Sequence, residues 1–585
     1  MRTIGFIFLI LACSWHVFAQ KTVETSFGRV IGKRVPGKNG DLYSFKNIPY
    51  AKPPLGDLRL KMSEMTDKWD RVINGTEYGP ACLSYSVTTS AVKQKYVSED
   101  CLQVNIFTSE KCLKSKCQVI IYYHGGGINL DSAVMFDDNF IFERYVENDI
   151  VFAIPAYRVG ALGLLYFGSD DVVPHNLAIH DCHLALHYIH KEITYFGGNR
   201  DDINLMGHSA GAHISMVFGY SPLIDPKKEL FKKIIVISPV PVYDQVELLI
   251  KNSYDLSQRI GCYVPNKTSD QDILECLKKK DNRELLEYQH EMELEGLFFW
   301  NFLKGQPFMY MNQSIRSFEK NPVPREMMMG TTVNEVGNLK QEKENPSIAG
   351  GFMDWENPYE VADHFNYLHD VVVENNTMPQ MFTQAIFVSS ATYSKSLVEA
   401  GGKVYLYQTN QHPGSTHVSD MQYFIGFHRE TNHTSDMDIV DSFYSQMIVN
   451  FTKYGEPSPN WEPLDPERMN YYAIEINTTS GIGPKMDEGY REEYVNWWYI
   501  NMTAYDREVT KQKQQNFNFS HSPMYPGPVL FPQPSPESFT PFDISSQWWF
   551  YVLIVVVALI LFFIIYLIKR TRDETETPLL SSSNK

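Results

Sequence analysis

Cationic side chains are the scarce class in this chain. There are 52 Lys and Arg against 69 Asp and Glu, a formal net charge of −17 over 585 residues. A surface biased that way repels phosphate backbones, which argues against a nucleic-acid partner. Cysteine is also sparse, at eight, and no spacing among the eight suggests zinc. The metalloprotease pattern H-E-x-x-H is missing: His183 and His187 stand four apart in "HLALH", but residue 184 is Leu. That pair reads as a partly exposed helix face, and neither metal nor cofactor is expected. Between about residues 20 and 505 there is no linker and no repeat. That stretch reads as one continuous domain, larger than usual, with long insertions around a single core. Charged residues at 21% and aromatics at 14% suit a globular chain with a large interior.

The two ends have a different texture. Arg2, the apolar "IGFIFLILA" and the small or branched "VFA" ending at Ala19 predict a secretory signal over residues 1–19. Trp548 to Ile568 carries no charge. At ~1.5 Å rise per residue it is long enough for a bilayer core of ~30 Å. Trp548, Trp549 and Tyr551 suit the outer interface, and Lys569, Arg570 and Arg572 suit the cytoplasmic side. Pro, Gln and Ser dominate 506–547, read as a stalk without helical or strand period. The expectation is a single-pass type I protein. Its main domain (20–505) would be luminal or extracellular, at the plasma membrane or in a lysosome-related organelle, with a short tail over 569–585. That tail carries Leu579-Leu580 after acidic residues, as in dileucine sorting signals.

An oxidising compartment changes the meaning of the cysteines. Six of the seven beyond the signal pair as close neighbours: Cys82 with Cys101, Cys112 with Cys117, Cys262 with Cys276. Cys182 is left over, within a helical run, as a buried free thiol. Nine N-x-S/T sites precede the span, at Asn74, Asn266, Asn312, Asn375, Asn432, Asn450, Asn477, Asn501 and Asn518. They are expected to carry glycans.

Short β-rich runs such as "CQVIIYYHGG", "DIVFAIPAYR", "KKIIVISPV" and "GKVYLYQTN" alternate with helical patterns such as "NLAIHDCHLALHYIHKEITYF". Alternation of this kind predicts an α/β domain around a mostly parallel sheet with helices on both faces. Within it, "DDINLM" reads as a strand, "GHSAG" as a tight turn and "AGAHISMVFG" as a helix start. Strand, turn and helix are the setting in which G-x-S-x-G holds a nucleophile out above a sheet, at a helix N-terminus that favours negative charge. Ser209 is the candidate. Upstream, "YYHGGG" (Tyr122 to Gly127) follows a strand, and its glycines let backbone N–H groups face an oxyanion. Ser209 still needs a base to take its proton. His208 on the elbow is expected to point away, and His213, about one turn along the helix, to lie on the far side. His124 reads as support for the glycine loop. "FFW" at 298–300 reads as ordinary core or as part of an acyl pocket.

These stretches resemble the type-B carboxylesterases, the cholinesterase-like branch of the α/β-hydrolases. Further matches are "YSFKNIPYAKPPLGDLRLK", "SEDCLQVNIFT", "AYRVGALGLL", "FGGNRDDINLMGHSAG", "MGTTVNEVGNL" and "HVSDMQYFIG", in order along residues 27 to about 500. The resemblance implies an α/β-hydrolase fold and serine-hydrolase chemistry through an acyl-enzyme on Ser209, with no cofactor. It makes Glu335 the acid, His417 the base, and Gly126, Gly127 and Ala210 the oxyanion donors. It also implies the Cys82–Cys101 and Cys262–Cys276 bridges; Cys112–Cys117 lies outside that pattern.

Departures from the family accompany the matches. The family's usual Glu before the serine is His208 here. No Trp lies between Cys82 and Cys101, where cholinesterases stack a quaternary ammonium, and "VISPVPVYD" replaces the usual Q-S-G stretch. The first two changes argue against a cationic choline ester, and the third implies a reshaped pocket wall near Pro239. Three functions stay open: hydrolysis of a small-molecule ester, transfer of the acyl group to an alcohol or sugar hydroxyl, and neuroligin-like adhesion by an inactive domain. Transfer is what the resemblance to membrane-tethered nematode members of the family implies. Adhesion is the weakest, because Ser209, Glu335, His417 and the glycine loop are all retained and the C-terminus, Lys585, is not the apolar residue that PDZ domains capture.

Overall fold

The computed structural model describes residues 20–84, 97–243, 246–299, 301–336, 352–368, 380–411 and 415–515. The signal, most of the stalk, the 548–568 segment, the tail, and the sequons at Asn375 and Asn518 lie outside these residues. Among the described residues, no helix is long and apolar enough to cross a membrane.

One sheet organises the chain. Its main strands are β1 (Gln20–Glu24), β2 (Arg29–Gly37), β3 (Gly40–Pro49), β4 (Gln103–Ser109), β5 (Cys117–Tyr123), β6 (Ile150–Pro155), β7 (Gly198–His208), β8 (Lys233–Ile237), β9 (Glu326–Thr332), β10 (Lys403–Thr409), β11 (Tyr471–Ile474) and β12 (Lys485–Asp487), and a short strand over Ile73–Gly75 pairs parallel with β2. Across the sheet they run in chain order except that β6 lies between β4 and β5. Strands β5 through β11 are mutually parallel. The N-terminal edge is antiparallel, as is β12 at the other edge. The parallel strands are the β-branched and aromatic runs seen in the sequence, and β5, β6 and β8 are buried along nearly their whole length. That is what a parallel strand covered on both faces requires. Helices α1 (Leu177–Glu192), α2 (Ala210–Tyr220), α3 (Met381–Glu399) and α4 (Ser435–Tyr454) alternate with these strands along the chain.

A fifth helix, α5 (Thr503–Gln514), corrects the expected start of the stalk at 506. Its buried positions are Thr503, Asp506 and Val509, spaced by three along one face. Two of the three are polar, so no apolar period was visible. Asp506 Oδ1 accepts from the Asn357 backbone at 2.8 Å, and Thr510 Oγ1 accepts from the Asn357 amide at 2.7 Å. The domain therefore continues to Gln514.

All three disulfides are formed as paired from the sequence, and Cys182 is free and buried. Asn74, Asn266, Asn312 and Asn432 are exposed, whereas Asn450, Asn477 and Asn501 are half-buried. The Asn450 amide donates to the Pro457 carbonyl and its oxygen accepts from Gln446.

Candidate active site

The site forms at the C-terminal ends of three parallel strands. Ser209 follows β7, Glu335 lies three residues beyond β9, and His417 lies eight beyond β10. Open parallel sheets place ligands at this end of their strands. Ser209 has φ 56° and ψ −120°, a conformation that a non-glycine residue holds only when its surroundings impose it. The surroundings are two glycines. A Cβ on Gly207 would lie 2.1 Å from the Gly211 carbonyl oxygen, and one on Gly211 would lie 2.0 Å from that of Tyr123. The Ser209 N–H donates to the Ile237 carbonyl at 2.9 Å, pinning the elbow to β8.

His417 and Glu335 complete an unbroken chain. Ser209 Oγ lies 2.8 Å from His417 Nε2, and His417 Nδ1 lies 2.7 Å from Glu335 Oε2. Glu335 is fully buried. Its other oxygen accepts from Ser238 Oγ at 2.8 Å and from the Thr332 backbone N–H at 2.7 Å. The acid is thus held from two sides before the histidine reaches it. Ser238 went unnoticed in the sequence as anything but part of an altered stretch; its retained serine was the one available signal.

The glycine loop lies against the serine. A Cβ on Gly125 would lie 3.2 Å from Ser209 Cβ. Gly126 and Gly127 have φ of 90° and 60°. Their carbonyls are taken by the N–H groups of Asn129 and Leu130 and by the Asn129 amide. Among the described residues, none accepts from the N–H of Gly126, Gly127 or Ala210. Turned carbonyls and unused N–H groups beside a nucleophile make a site for a developing oxyanion. His124 is buried beneath this loop. It stacks on Tyr157 at 4.2 Å between ring centroids, and Tyr157 Oη donates to the His124 carbonyl at 2.6 Å. Burial lowers the His124 pKa to about 4.

Neither neighbouring histidine bonds to Ser209 Oγ. His208 Nε2 donates to the backbone carbonyl of His417 at 2.6 Å. Burial, with the nearby His417 ring adding to it, holds the His208 pKa well below its ordinary value. The neutral ring therefore fastens the loop that carries His417. A carboxylate at this position has no proton to donate to that carbonyl. His213 departs from expectation: it is not on the far side of α2. Its ring lines a small apolar pocket together with Gly127, Ala210, Val240, Val242 and Phe302. Phe299 is fully buried, as core packing requires, while Phe302 faces the pocket. His183 and His187 lie on α1 with their Nε2 atoms 3.1 Å apart. The only cluster of ligand-type atoms among the described residues is Cys112, Cys117 and Asp149, and its two sulfurs are joined to each other.

A parallel sheet with a serine elbow, a carboxylate and a histidine at the C-terminal ends of its strands is the architecture of the α/β-hydrolases. This chain belongs to the carboxylesterase family, whose sequence model matches residues 19–498. It is 27% identical to carboxylesterase 1C of Rattus norvegicus over 529 residues, covering 81% of this chain and 93% of that one. It is 26% identical to the liver carboxylesterase of Sus scrofa over 528 residues, covering 80% and 91%. It is 22% identical to an acetylcholinesterase of Danio rerio over 620 aligned positions, covering 88% and 95%.

Proposed function

We propose that the protein is a serine carboxylesterase acting on small-molecule carboxylic esters. The hydrogen-bonded chain from Ser209 through His417 to Glu335 carries this reading, and membership of the carboxylesterase family supports the substrate class. His417 Nε2 takes the Ser209 proton as Oγ attacks the ester carbonyl. The N–H groups of Gly126, Gly127 and Ala210 receive the oxyanion. His417 then returns the proton to the departing alcohol, leaving an acyl-enzyme on Ser209. Water, deprotonated by the same histidine, releases the acid. Glu335 fixes the ring and stabilises the imidazolium.

If an alcohol reaches the acyl-enzyme before water does, the same machinery transfers the acyl group. The polar His213 ring in the pocket beside Ala210 favours keeping this second reading. The uncharged 548–568 segment and the signal-like N-terminus support membrane tethering with the site luminal or extracellular. A fluorophosphonate probe should label wild-type protein and not Ser209→Ala, and p-nitrophenyl butyrate should be turned over by the first alone. A wild-type protein that neither labels nor turns over would leave adhesion as the surviving function. Acylated glucoside formed at the expense of free acid, with glucoside added, would establish transfer. Removal of 548–585 should release the protein from cells into the medium.

A further inference from the structure

The pocket beside the elbow is small, about 20 Å³. Most of its wall is apolar, from Ile128, Val240, Val242 and Phe302. Two members of the wall, Asn301 and His213, do not fit that character. His213 is 5% exposed, and among the described residues its Nε2 has no hydrogen-bond partner. A buried polar atom without a partner costs ~1–3 kcal/mol, so its presence in this mostly apolar wall calls for a ligand.

The ring chemistry selects that ligand. Burial lowers the His213 pKa to about 4, so near neutral pH the ring is uncharged and carries one N–H. The Val240 carbonyl is the one neighbour acting to favour a proton on the ring. A carbonyl can only accept, so the single N–H is assigned to the nitrogen toward Val240, which leaves unpartnered Nε2 as the acceptor. The ring is also held in place, with Tyr243 edge-on at 4.4 Å between centroids and Tyr243 Oη 2.7 Å from Tyr393 Oη. Nε2 is therefore a fixed acceptor in an apolar pocket that shares Gly127 and Ala210 with the oxyanion site.

We propose that His213 recognises a hydroxyl or N–H group on the substrate, so that the enzyme prefers esters bearing such a donor close to the reacting carbonyl over their purely aliphatic counterparts. This rests on the esterase reading. The donor has two possible sources, the acyl chain or the alcohol part.

The test uses full-length protein and two pairs of esters. In the acyl arm, p-nitrophenyl butyrate is compared with p-nitrophenyl 3-hydroxybutyrate. In the alcohol arm, propyl butyrate is compared with 2,3-dihydroxypropyl butyrate. The ratio of kcat/KM, hydroxylated over plain, is measured for wild type, His213→Leu and His213→Gln. Binding of the same esters to Ser209→Ala is measured by calorimetry. One arm should show a preference of about tenfold or more in wild type, the size of one satisfied hydrogen bond in a buried pocket. His213→Leu should bring that ratio to about one. His213→Gln, whose amide oxygen can still accept, should keep most of it. Which arm responds identifies which side of the ester occupies the pocket. Turnover without preference in either arm, or a preference that survives His213→Leu, would overturn the proposal. Preferential binding to Ser209→Ala without any wild-type turnover would keep the subsite and overturn the esterase reading instead.

Discussion

Replacing Glu335 by Gln changes one oxygen for an amide nitrogen, and the surroundings determine which one. Two donors converge on Oε1, the Ser238 hydroxyl and the Thr332 N–H, while His417 Nδ1 faces Oε2. The backbone N–H of Thr332 cannot turn away, so the amide oxygen settles at Oε1 and the NH₂ group faces His417. Nδ1 must then accept, which places the single ring proton on Nε2, pointing at Ser209 Oγ across 2.8 Å. The base has lost the lone pair it needs. Such a tautomer reversal lowers kcat by ~10⁴ in a Ser-His-acid site, about 5.5 kcal/mol at 1.36 kcal/mol per tenfold. Stopped-flow release of p-nitrophenol from p-nitrophenyl acetate reads the acylation step directly. Acylation by Glu335→Gln should fall by about that factor, with little change in thermal midpoint because the side chains are isosteric. Adding Glu335→Gln to His417→Ala should cost almost nothing further, since the acid acts only through the histidine. Acylation within tenfold of wild type would refute the assignment of Glu335 and the tautomer argument with it.

Four other outcomes follow from particular contacts. Gly211→Ala should abolish folding or activity, because its Cβ has the Tyr123 carbonyl 2.0 Å away and no flexible side chain to displace; a soluble, active variant would show that the elbow can shift. Arg59 and Glu99 are buried and joined at 2.7 and 2.8 Å, and Arg59 also donates to the Leu277 and Lys280 carbonyls. Glu99→Ala strands that guanidinium and should cost ~3–5 kcal/mol in urea unfolding. His208→Leu removes the donor on the His417 carbonyl and should lower kcat about tenfold, while His208→Gln, which keeps a donor, should stay within about threefold; equal effects would mean the bond does not position the base. Stability should also depend on pH. His124, His180, His183, His208 and His213 have folded pKa values lowered by burial. The unfolded chain therefore takes up their protons first, and stability present above about pH 6.5 is lost as pH falls toward about 4. Buried Glu319 and Asp420, whose pKa values are raised, act in the opposite sense but are fewer. Unfolding free energies from urea titrations should fall between pH 7.5 and 5, approaching ~1.4 kcal/mol per pH unit below about pH 6.5 for each histidine in excess; a flat profile would refute this.

Much of this was legible in the sequence. Runs such as "CQVIIYYHGG" and "KKIIVISPV" have a composition that only a covered strand explains, and GHSAG between a strand and a helix fixes the elbow. Glu335 and His417 could not be found by physical pattern alone. They lie on different loops, and only the family resemblance pointed to them. The antiparallel N-terminal edge was not visible, because alternation is blurred in strands that are buried on one side over part of their length. Residues 506–514 looked like stalk because the face they bury is largely polar. His213 was placed on the wrong side because a helical wheel gives its angle but not what packs around α2. The pocket-facing direction was set by Val240, Tyr243 and Phe302, from elements distant in sequence.

The three disulfides join cysteines 19, 5 and 14 residues apart, and no bridge spans another. During synthesis each partner emerges shortly after its mate and before the next pair begins. At no stage does the growing chain hold a native pair that must wait for a distant cysteine. Cys182 appears alone, after two bridges can already have closed and well before the third pair. Its burial in α1 then removes the one free thiol among the described residues that could exchange with the last bridge. Oxidation can thus proceed in the order of translation without a shuffling step, and a cysteine introduced between residues 183 and 261 should disturb that order more than one placed after 276.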